Sequence, residues 1–255
     1  MIINEKAKIA LVTGGVSGIG FEISKKLIAL GVSVIVADKS DSGKSIASDI
    51  GAQFRKADLS SVQETREFGV ELINEFGDID ILVNSAGYQF MDLVEDFPEE
   101  DWINMLHVML IAPFQLTKYI VPGMKKQKWG RIINLSSIQG LIASPYKSAY
   151  NAAKHGIIGL TKSVALETGE YGITVNALCP AYVDTPLVQN QLAAQARNHG
   201  ISKEEVIQKI MLENAAIKRL VTPEEVADLA LYLISESAAP ITGSSYVIDL
   251  GWTAA

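Results

Sequence analysis

Thr13-Gly14-Gly15-Val16-Ser17-Gly18-Ile19-Gly20 follows the apolar run Lys8-Ile9-Ala10-Leu11-Val12 and precedes a stretch in which Ile23, Leu27 and Leu30 recur at helical spacing. The order is strand, glycine turn, helix. Glycine lets the backbone turn sharply and approach a pyrophosphate, while the free N–H groups and positive dipole end of the following helix favour the anion. Three glycines alone mark no more than a tight turn; the strand before them and the helix after them point to a dinucleotide site. Asp38 closes the next β-branched run, about twenty residues past Gly20. A carboxylate there accepts hydrogen bonds from a ribose 2′-OH and repels a 2′-phosphate, so NAD is expected rather than NADP. The adjacent Lys39 works against this, as a cation able to accommodate a phosphate in part. Asp58, at the end of a third run, is placed to contact the adenine edge or to form a turn.

Outward from this motif, short β-branched runs alternate with helical stretches, the pattern of a parallel sheet with crossover helices. Strands are expected at 8–13, 33–37, 52–55, 79–84, 130–135, 173–178 and 245–249. Several are apolar nearly throughout, which suits strands covered on both faces. Seven such strands make a doubly wound α/β sheet. No internal repeat, low-complexity tract or linker interrupts the chain, so one domain is expected over residues 1–255. The Gln- and Ala-rich segment from Pro186 to about Leu220 is helical in character and too long for a simple connection, and is read as a lid.

At 255 residues, 48% hydrophobic and 20% charged, the chain has enough apolar material to form a core, which excludes wholesale disorder. A net charge of −7 argues against nucleic acid or an anionic membrane as a partner, because both require a basic footprint. The densest basic cluster, Lys125-Lys126-Gln127-Lys128, reads as a solvated helix end. The single cysteine, Cys179, rules out an intrachain disulfide and reads as a small buried residue of a reducing compartment. Met1 to Gly14 lacks the apolar stretch of a signal peptide, and no run reaches membrane-spanning length, so a cytoplasmic protein is expected. His107, His155 and His199 share no metal-ligand spacing with one another or with Cys179, and no metal is expected.

Tyr150-Asn151-Ala152-Ala153-Lys154 puts a phenol and an ammonium four residues apart, on one face of a helix expected over about Ser148 to Gly169. A phenol is a poor acid or base at neutral pH, and a neighbouring ammonium stabilises the phenolate and lowers its pKa. Ser136-Ser137 follows the fifth strand at a carboxyl end, where open α/β sheets bind ligands, and a hydroxyl there can polarise a substrate carbonyl.

Together, Thr13-Gly14-x-x-x-Gly18-Ile19-Gly20, Asn84-Ser85-Ala86-Gly87, Ser137, Tyr150-x-x-x-Lys154 and Cys179-Pro180 resemble the short-chain dehydrogenase/reductase family from about Lys6 to the C-terminus. Within it, Gly130-Arg131-Ile132-Ile133-Asn134, Lys147-Ser148-Ala149-Tyr150, Thr185-Pro186-Leu187-Val188 and Gly251-Trp252-Thr253 resemble (R)-3-hydroxybutyrate dehydrogenases. The resemblance implies a Rossmann-type domain in a homotetramer, with Tyr150 as general acid/base, Ser137 orienting the reacting oxygen and Lys154 holding the nicotinamide ribose. It assigns cofactor contacts to Gly14, Ser17, Gly18, Ile19, Gly20, Asp38, Asp58, Leu59, Asn84, Ala86, Gly87, Tyr150, Lys154, Pro180, Val183 and Thr185. The small carboxylate substrate is assigned to Gln89, Ser137, Gln139, Lys147, Tyr150, Gln191 and Trp252. A four-carbon acid wants one cation, several amide donors and a small apolar wall, and Lys147, Gln89, Gln191 and Trp252 supply that set.

Four positions depart from the family pattern. Ser85 replaces the second Asn of Asn-Asn-Ala-Gly, Ala181 replaces a Gly, Gln139 stands where a substrate-binding His is common, and Met109 occupies the place of the catalytic Asn. That Asn is held to support a proton relay from Lys154, so Met109 is expected to slow proton exchange without abolishing hydride transfer. Asn104 and His107 lie about one turn away, but their helical phase differs from that of Met109, so neither is expected to replace it. The resulting expectation is an NAD-dependent oxidoreductase interconverting (R)-3-hydroxybutyrate and acetoacetate. The alternatives are an NADPH-dependent 3-oxoacyl thioester reductase, and a dinucleotide-binding sensor without turnover.

Overall fold

A computed structural model describes residues 8–254; the expectations that fall on Met1–Ala7, including Lys6 as the start of the resemblance, lie outside them. The seven strands are β1 (Ile9–Thr13), β2 (Ser33–Asp38), β3 (Gln53–Lys56), β4 (Ile81–Asn84), β5 (Gly130–Leu135), β6 (Ile173–Pro180) and β7 (Ser245–Ile248). They form one parallel sheet in the order β3-β2-β1-β4-β5-β6-β7. The chain runs outward from β1 to β3, then crosses back so that Ala10 of β1 pairs with Ile81 of β4. At this reversal the connections leaving β1 and β4 turn to opposite sides, opening a crevice at their carboxyl ends.

Alternating residues of each strand feed two cores. Val12, Val36, Val83 and Ile133 pack with Ile23 and Leu27 of α1 (Gly18–Ala29). Leu11, Ile35, Leu82 and Ile132 point to the other face. Between β2 and β3 lies α2 (Gly43–Asp49), and between β3 and β4 lies α3 (Val62–Phe76), whose Phe68 and Leu72 join the second core. Burial on both faces explains why these strands carry continuous apolar runs rather than alternation.

The helical stretch around Trp102 to Tyr119 is interrupted. α4 (Glu99–Leu106) passes through a π-turn at His107–Ile111 into α5 (Ala112–Gln127). Pro113 has no amide to bond the Met109 carbonyl four residues earlier, so the break is built into the sequence. α5 ends in Lys125 and Lys126, with Lys128 in the left-handed region as cap, so the basic cluster is a solvated helix end. α6 (Ser148–Thr168) covers the expected helix nearly to the residue. The segment from Pro186 forms α7 (Pro186–His199), α8 (Lys203–Val206) and a second π-turn at Ile207–Met211. Val188, Leu192, Val206 and Met211 give it an apolar cluster of its own. The chain then returns through a bridge between Val183 and Val221 to α9 (Pro223–Ile234), which Thr222 and Glu225 start with a capping box. α9 packs on the α1 face, its Val226 and Ala230 in the first core.

The amino ends of the strands are held by charge. Lys8, 4% exposed, donates to Asp80 at 2.9 Å, and the other carboxylate oxygen of Asp80 accepts from the Ile9 amide at 2.9 Å. The Lys8 ammonium also lies 4.0 Å from the centre of the Trp129 ring, which Arg131 approaches at 4.6 Å. Glu236 accepts from the Trp129 indole and pairs with Arg131. Removing one partner of a buried pair strands the other charge, so Asp80→Ala is expected to cost about 3–5 kcal/mol. Urea denaturation measures it; a midpoint unchanged from the parent protein would show that the pair contributes nothing.

Candidate active site

Two adjoining cavities open at the carboxyl ends of the strands. The larger, about 400 Å³, is lined by Gly14, Ser17, Gly18, Ile19, Asp38, Lys39, Asp58, Leu59, Ala86, Gly87, Tyr88 and Thr185, among others. Gly14 has φ +65°, and a Cβ on it would sit 2.8 Å from the Ala86 Cα. Gly20 lies behind the cavity, where a Cβ would meet the Gly14 carbonyl oxygen at 2.5 Å, so it serves close packing of helix on turn. The first turn of α1 has no side-chain cap and no acidic residue, leaving its N–H groups directed at the cavity mouth. Asp38 accepts from the Ser40 amide at 2.9 Å through one carboxylate oxygen, and among the described residues no hydrogen bond engages the other. Lys39 reaches to the Tyr88 ring, 5.7 Å from its centre. Asp58 binds Ser60 through backbone and hydroxyl, which holds its carboxyl below the usual range. A turn without Cβ atoms, a free helix N-terminus and an acid at the end of β2 fit a dinucleotide.

The smaller cavity, about 120 Å³, brings Ser137, Gln139, Lys147, Tyr150, Lys154, Gln89 and Gln191 together from four separate segments, with Pro180, Val183 and Met109 in its wall. Ser137 follows β5, where its hydroxyl accepts from the Gln139 amide at 3.2 Å and donates weakly to the Pro180 carbonyl at 3.4 Å. Tyr150 and Lys154 project from one face of α6, the ammonium 5.5 Å from the phenol ring centre. Lys154, 5% exposed, donates to the Leu135 carbonyl at 2.5 Å, and burial pulls it down to about 8.

The sequence suggested that the Lys154 charge lowers the Tyr150 pKa. In the protein alone, burial outweighs this and pushes the phenol up to about 12, with Ser137 acting the other way. Tyr150 is therefore a proton donor before any ligand binds.

Lys147 is 6% exposed, and among the described residues its ammonium has no hydrogen-bond or ion-pair partner; burial pulls its pKa down. Tyr146 before it takes φ +66°, a conformation costly for a bulky residue, and its carbonyl accepts from the Asp92 amide at 3.0 Å. That turn directs Lys147 inward. Gln191 of α7 donates to the Gln89 side chain, whose own amide nitrogen is buried without a partner. Gln139 donates to the Ser144 hydroxyl at 2.9 Å while its amide oxygen is likewise unpaired.

Besides Gly20, two further assigned positions lie elsewhere. Asn84 lines neither cavity: it donates to Asn134 at 2.8 Å, which donates to Thr161 at 2.9 Å, a chain that ties β4 to β5 and α6. Trp252 does not line the small cavity either. Past β7 the Asp249 carboxylate accepts from the amides of Gly251 and Thr253, curling the chain so that the indole donates to the Met211 carbonyl at 3.2 Å. Neither group near the missing Asn's position reaches Lys154. Asn104 lines the larger cavity, and His107 bonds the Ser60 carbonyl at 2.7 Å. Met109 itself is buried with Met105, Phe97, Ala149 and Ala153. Ala181 is not in the left-handed region, so its methyl costs no backbone strain. Cys179 is fully buried, and burial raises its thiol. Among the described residues no three His, Cys, Asp or Glu side chains are grouped to hold a metal, and no helix is long and apolar enough to cross a membrane.

Sequence reasoning passed over Tyr182 and Tyr88. Tyr182 lines the small cavity beside Lys147, and Tyr88 lines the large one. Neither stands in a spacing that marks it; only the fold brings them in.

A family model described as enoyl-(acyl carrier protein) reductase matches residues 14–253. A D-beta-hydroxybutyrate dehydrogenase of Rhizobium meliloti is 44% identical over 97% of this chain and 99% of its own length. One of Cupriavidus necator is 44% identical over 97% and 98%. A putative ketoacyl reductase of Streptomyces coelicolor is 34% identical over 94% of this chain and 95% of its own. A crystal structure of an actinorhodin polyketide ketoreductase variant with NADPH superposes with a TM-score of 0.89 at 32% identity, covering 98% of this chain and 99% of that one. Matches of this extent place the chain in the short-chain dehydrogenase/reductase family of oxidoreductases.

Proposed function

We propose that the protein is an NAD-dependent dehydrogenase interconverting (R)-3-hydroxybutyrate and acetoacetate. The observation that carries this reading is Lys147, a buried ammonium without an anion among the described residues, facing a cavity of about 120 Å³ together with the unpaired amide nitrogen of Gln89. A buried charge needs a counter-charge, and a small carboxylate supplies one. Pockets for drug-sized ligands run from about 300 Å³ upward, so this one suits a short acid rather than a long acyl chain. The two D-beta-hydroxybutyrate dehydrogenases at 44% identity support the same class.

Members of the family bind nicotinamide dinucleotides, and the free oxygen of Asp38 favours a ribose 2′-OH over a phosphate. Lys39, turned towards Tyr88, leaves that carboxylate without a cation of its own. The nicotinamide, when bound, supplies or accepts the hydride. The chain's own residues move the proton: in reduction Tyr150 gives its phenolic proton to the carbonyl oxygen that the Ser137 hydroxyl holds, and the Lys154 ammonium stabilises the phenolate left behind. In oxidation the same groups act in reverse. α7, which contributes Leu187, Val188 and Gln191 to the walls, serves as a lid that excludes water. Ile103 of α4, Phe114 of α5 and the 88% exposed Leu166 of α6 leave apolar surface for self-association, and the number of subunits, four, comes from the family resemblance.

The first test is initial-rate NADH formation from (R)-3-hydroxybutyrate, beside the (S) acid and beside NADP. Turnover confined to the (R) acid and NAD is expected, with Tyr150→Phe lowering it by roughly a thousandfold and Lys147→Met raising KM by roughly tenfold or more. A preference for NADPH and an acyl thioester would replace this reading with the ketoreductase one, to which the Streptomyces relative and the NADPH structure belong. Lys154 is lowered to about 8, so its ammonium is present below that pH and lost above it. Acetoacetate reduction is accordingly expected to be level at lower pH and to fall as pH rises through about 8; a rate that climbs there contradicts the role of Lys154. On a sizing column the protein is expected to elute as a tetramer, and elution as a monomer removes the homotetramer.

A further inference from the structure

Tyr182 belongs to two groups of residues at once. Its ring packs against the apolar cluster of the helical cover, formed by Val188, Leu192, Val206 and Met211, and it also lines the small cavity. The Lys147 ammonium lies 5.6 Å from the centre of that ring. Nothing else among the described residues engages the ammonium, while four methylene groups leave a lysine free to choose among many rotamers. The backbone of Tyr182 is itself fixed, because its carbonyl accepts from the Val221 amide at 3.0 Å and Asp184 donates back to the Val221 carbonyl at 2.9 Å.

We propose that Tyr182 is a positioning residue: the face of its ring holds the Lys147 ammonium toward the small cavity for the substrate carboxylate, and its packing in the α7–α8 cluster links that cation to the cover. The inference rests on the carboxylate reading of the site. An ammonium against an aromatic face, away from water, is attracted by the ring quadrupole, and the attraction needs the π-system rather than the hydroxyl. The phenol does no proton chemistry in this role. An aliphatic side chain of similar bulk retains the packing against Val188 and Leu192 but loses the hold on the ammonium.

The experiment compares Tyr182→Leu and Tyr182→Phe with the parent enzyme on acetoacetate and on 2-pentanone, a neutral methyl ketone of similar size. Tyr182→Met replaces Tyr182→Leu if the latter does not yield folded protein. In the aliphatic variant KM for acetoacetate is expected to rise roughly tenfold, with kcat much less affected. The preference for acid over neutral ketone, as the ratio of their kcat/KM values, falls correspondingly. Tyr182→Phe is expected to restore most of the affinity. In a Lys147→Met background the aliphatic substitution adds no further loss on the acid, which a purely structural role of Tyr182 does not predict. An unchanged KM, an equal loss on acid and neutral ketone, or an undiminished loss in the Lys147→Met background overturns the role of Tyr182 alone. Absence of acetoacetate turnover in the parent enzyme overturns the carboxylate reading and this inference together.

Discussion

The pairing of β1 with β4 is the constraint from which the rest of the molecule follows. Strands far apart in the chain lie side by side, and the connections leaving their carboxyl ends must part to opposite sides. The gap between them is backbone geometry, and it exists before any side chain is chosen. Gly14 and Gly20 then let β1 turn into α1 without filling that gap, so the helix start faces it. β5 and β6, next along the sheet, end two residues before Ser137 and at Pro180, and extend the gap into the smaller cavity. α6 crosses behind it and delivers Tyr150 and Lys154 from one face.

Charge is distributed against the grain of the whole chain. The protein carries a net charge of −7, and acidic residues crowd the stretch from Asp92 to Asp101, yet the small cavity is walled by two buried lysines and no carboxylate. Each of these ammonium groups loses hydration, which is why both have lowered pKa values. Lys154 recovers part of the loss from the Leu135 carbonyl, and Lys147 has only an aromatic face. A site built in this way is unfavourable when empty and improves when an anion enters. Under the proposed function, that asymmetry is what would favour acids over neutral ketones of the same shape.

The strands, the glycine turn and the Tyr150/Lys154 pair were legible because each is written locally, in continuous β-branched apolar runs along the strands, glycine at fixed offsets, and four residues on a helix face. Where Asn84 and Trp252 sit was not legible, for the opposite reason. Their types suit a ligand, but a buried amide takes the first partner that the fold presents, here Asn134, and the indole is aimed by the curl around Asp249. The direction of the Tyr150 shift depends on how much protein surrounds the phenol, a property of packing that sequence spacing does not carry. Tyr182 was missed because the contact that matters, with Lys147 before α6, joins two segments with no pattern between them. The π-turn had a signal in Pro113, whose missing amide breaks the ladder behind it.

The charge network of Lys8, Asp80, Trp129, Arg131 and Glu236 lies at the amino ends of the strands, and the chemistry lies at their carboxyl ends. Strands of this length separate the two by about 17 Å, and the charges at the amino ends cancel in pairs, Lys8 with Asp80 and Arg131 with Glu236. One end therefore anchors the sheet without tuning the titration of the other. For a lineage that adapts such a protein to new substrates or temperatures, this separation means that pocket and anchor are free to drift independently, each answering to its own selection.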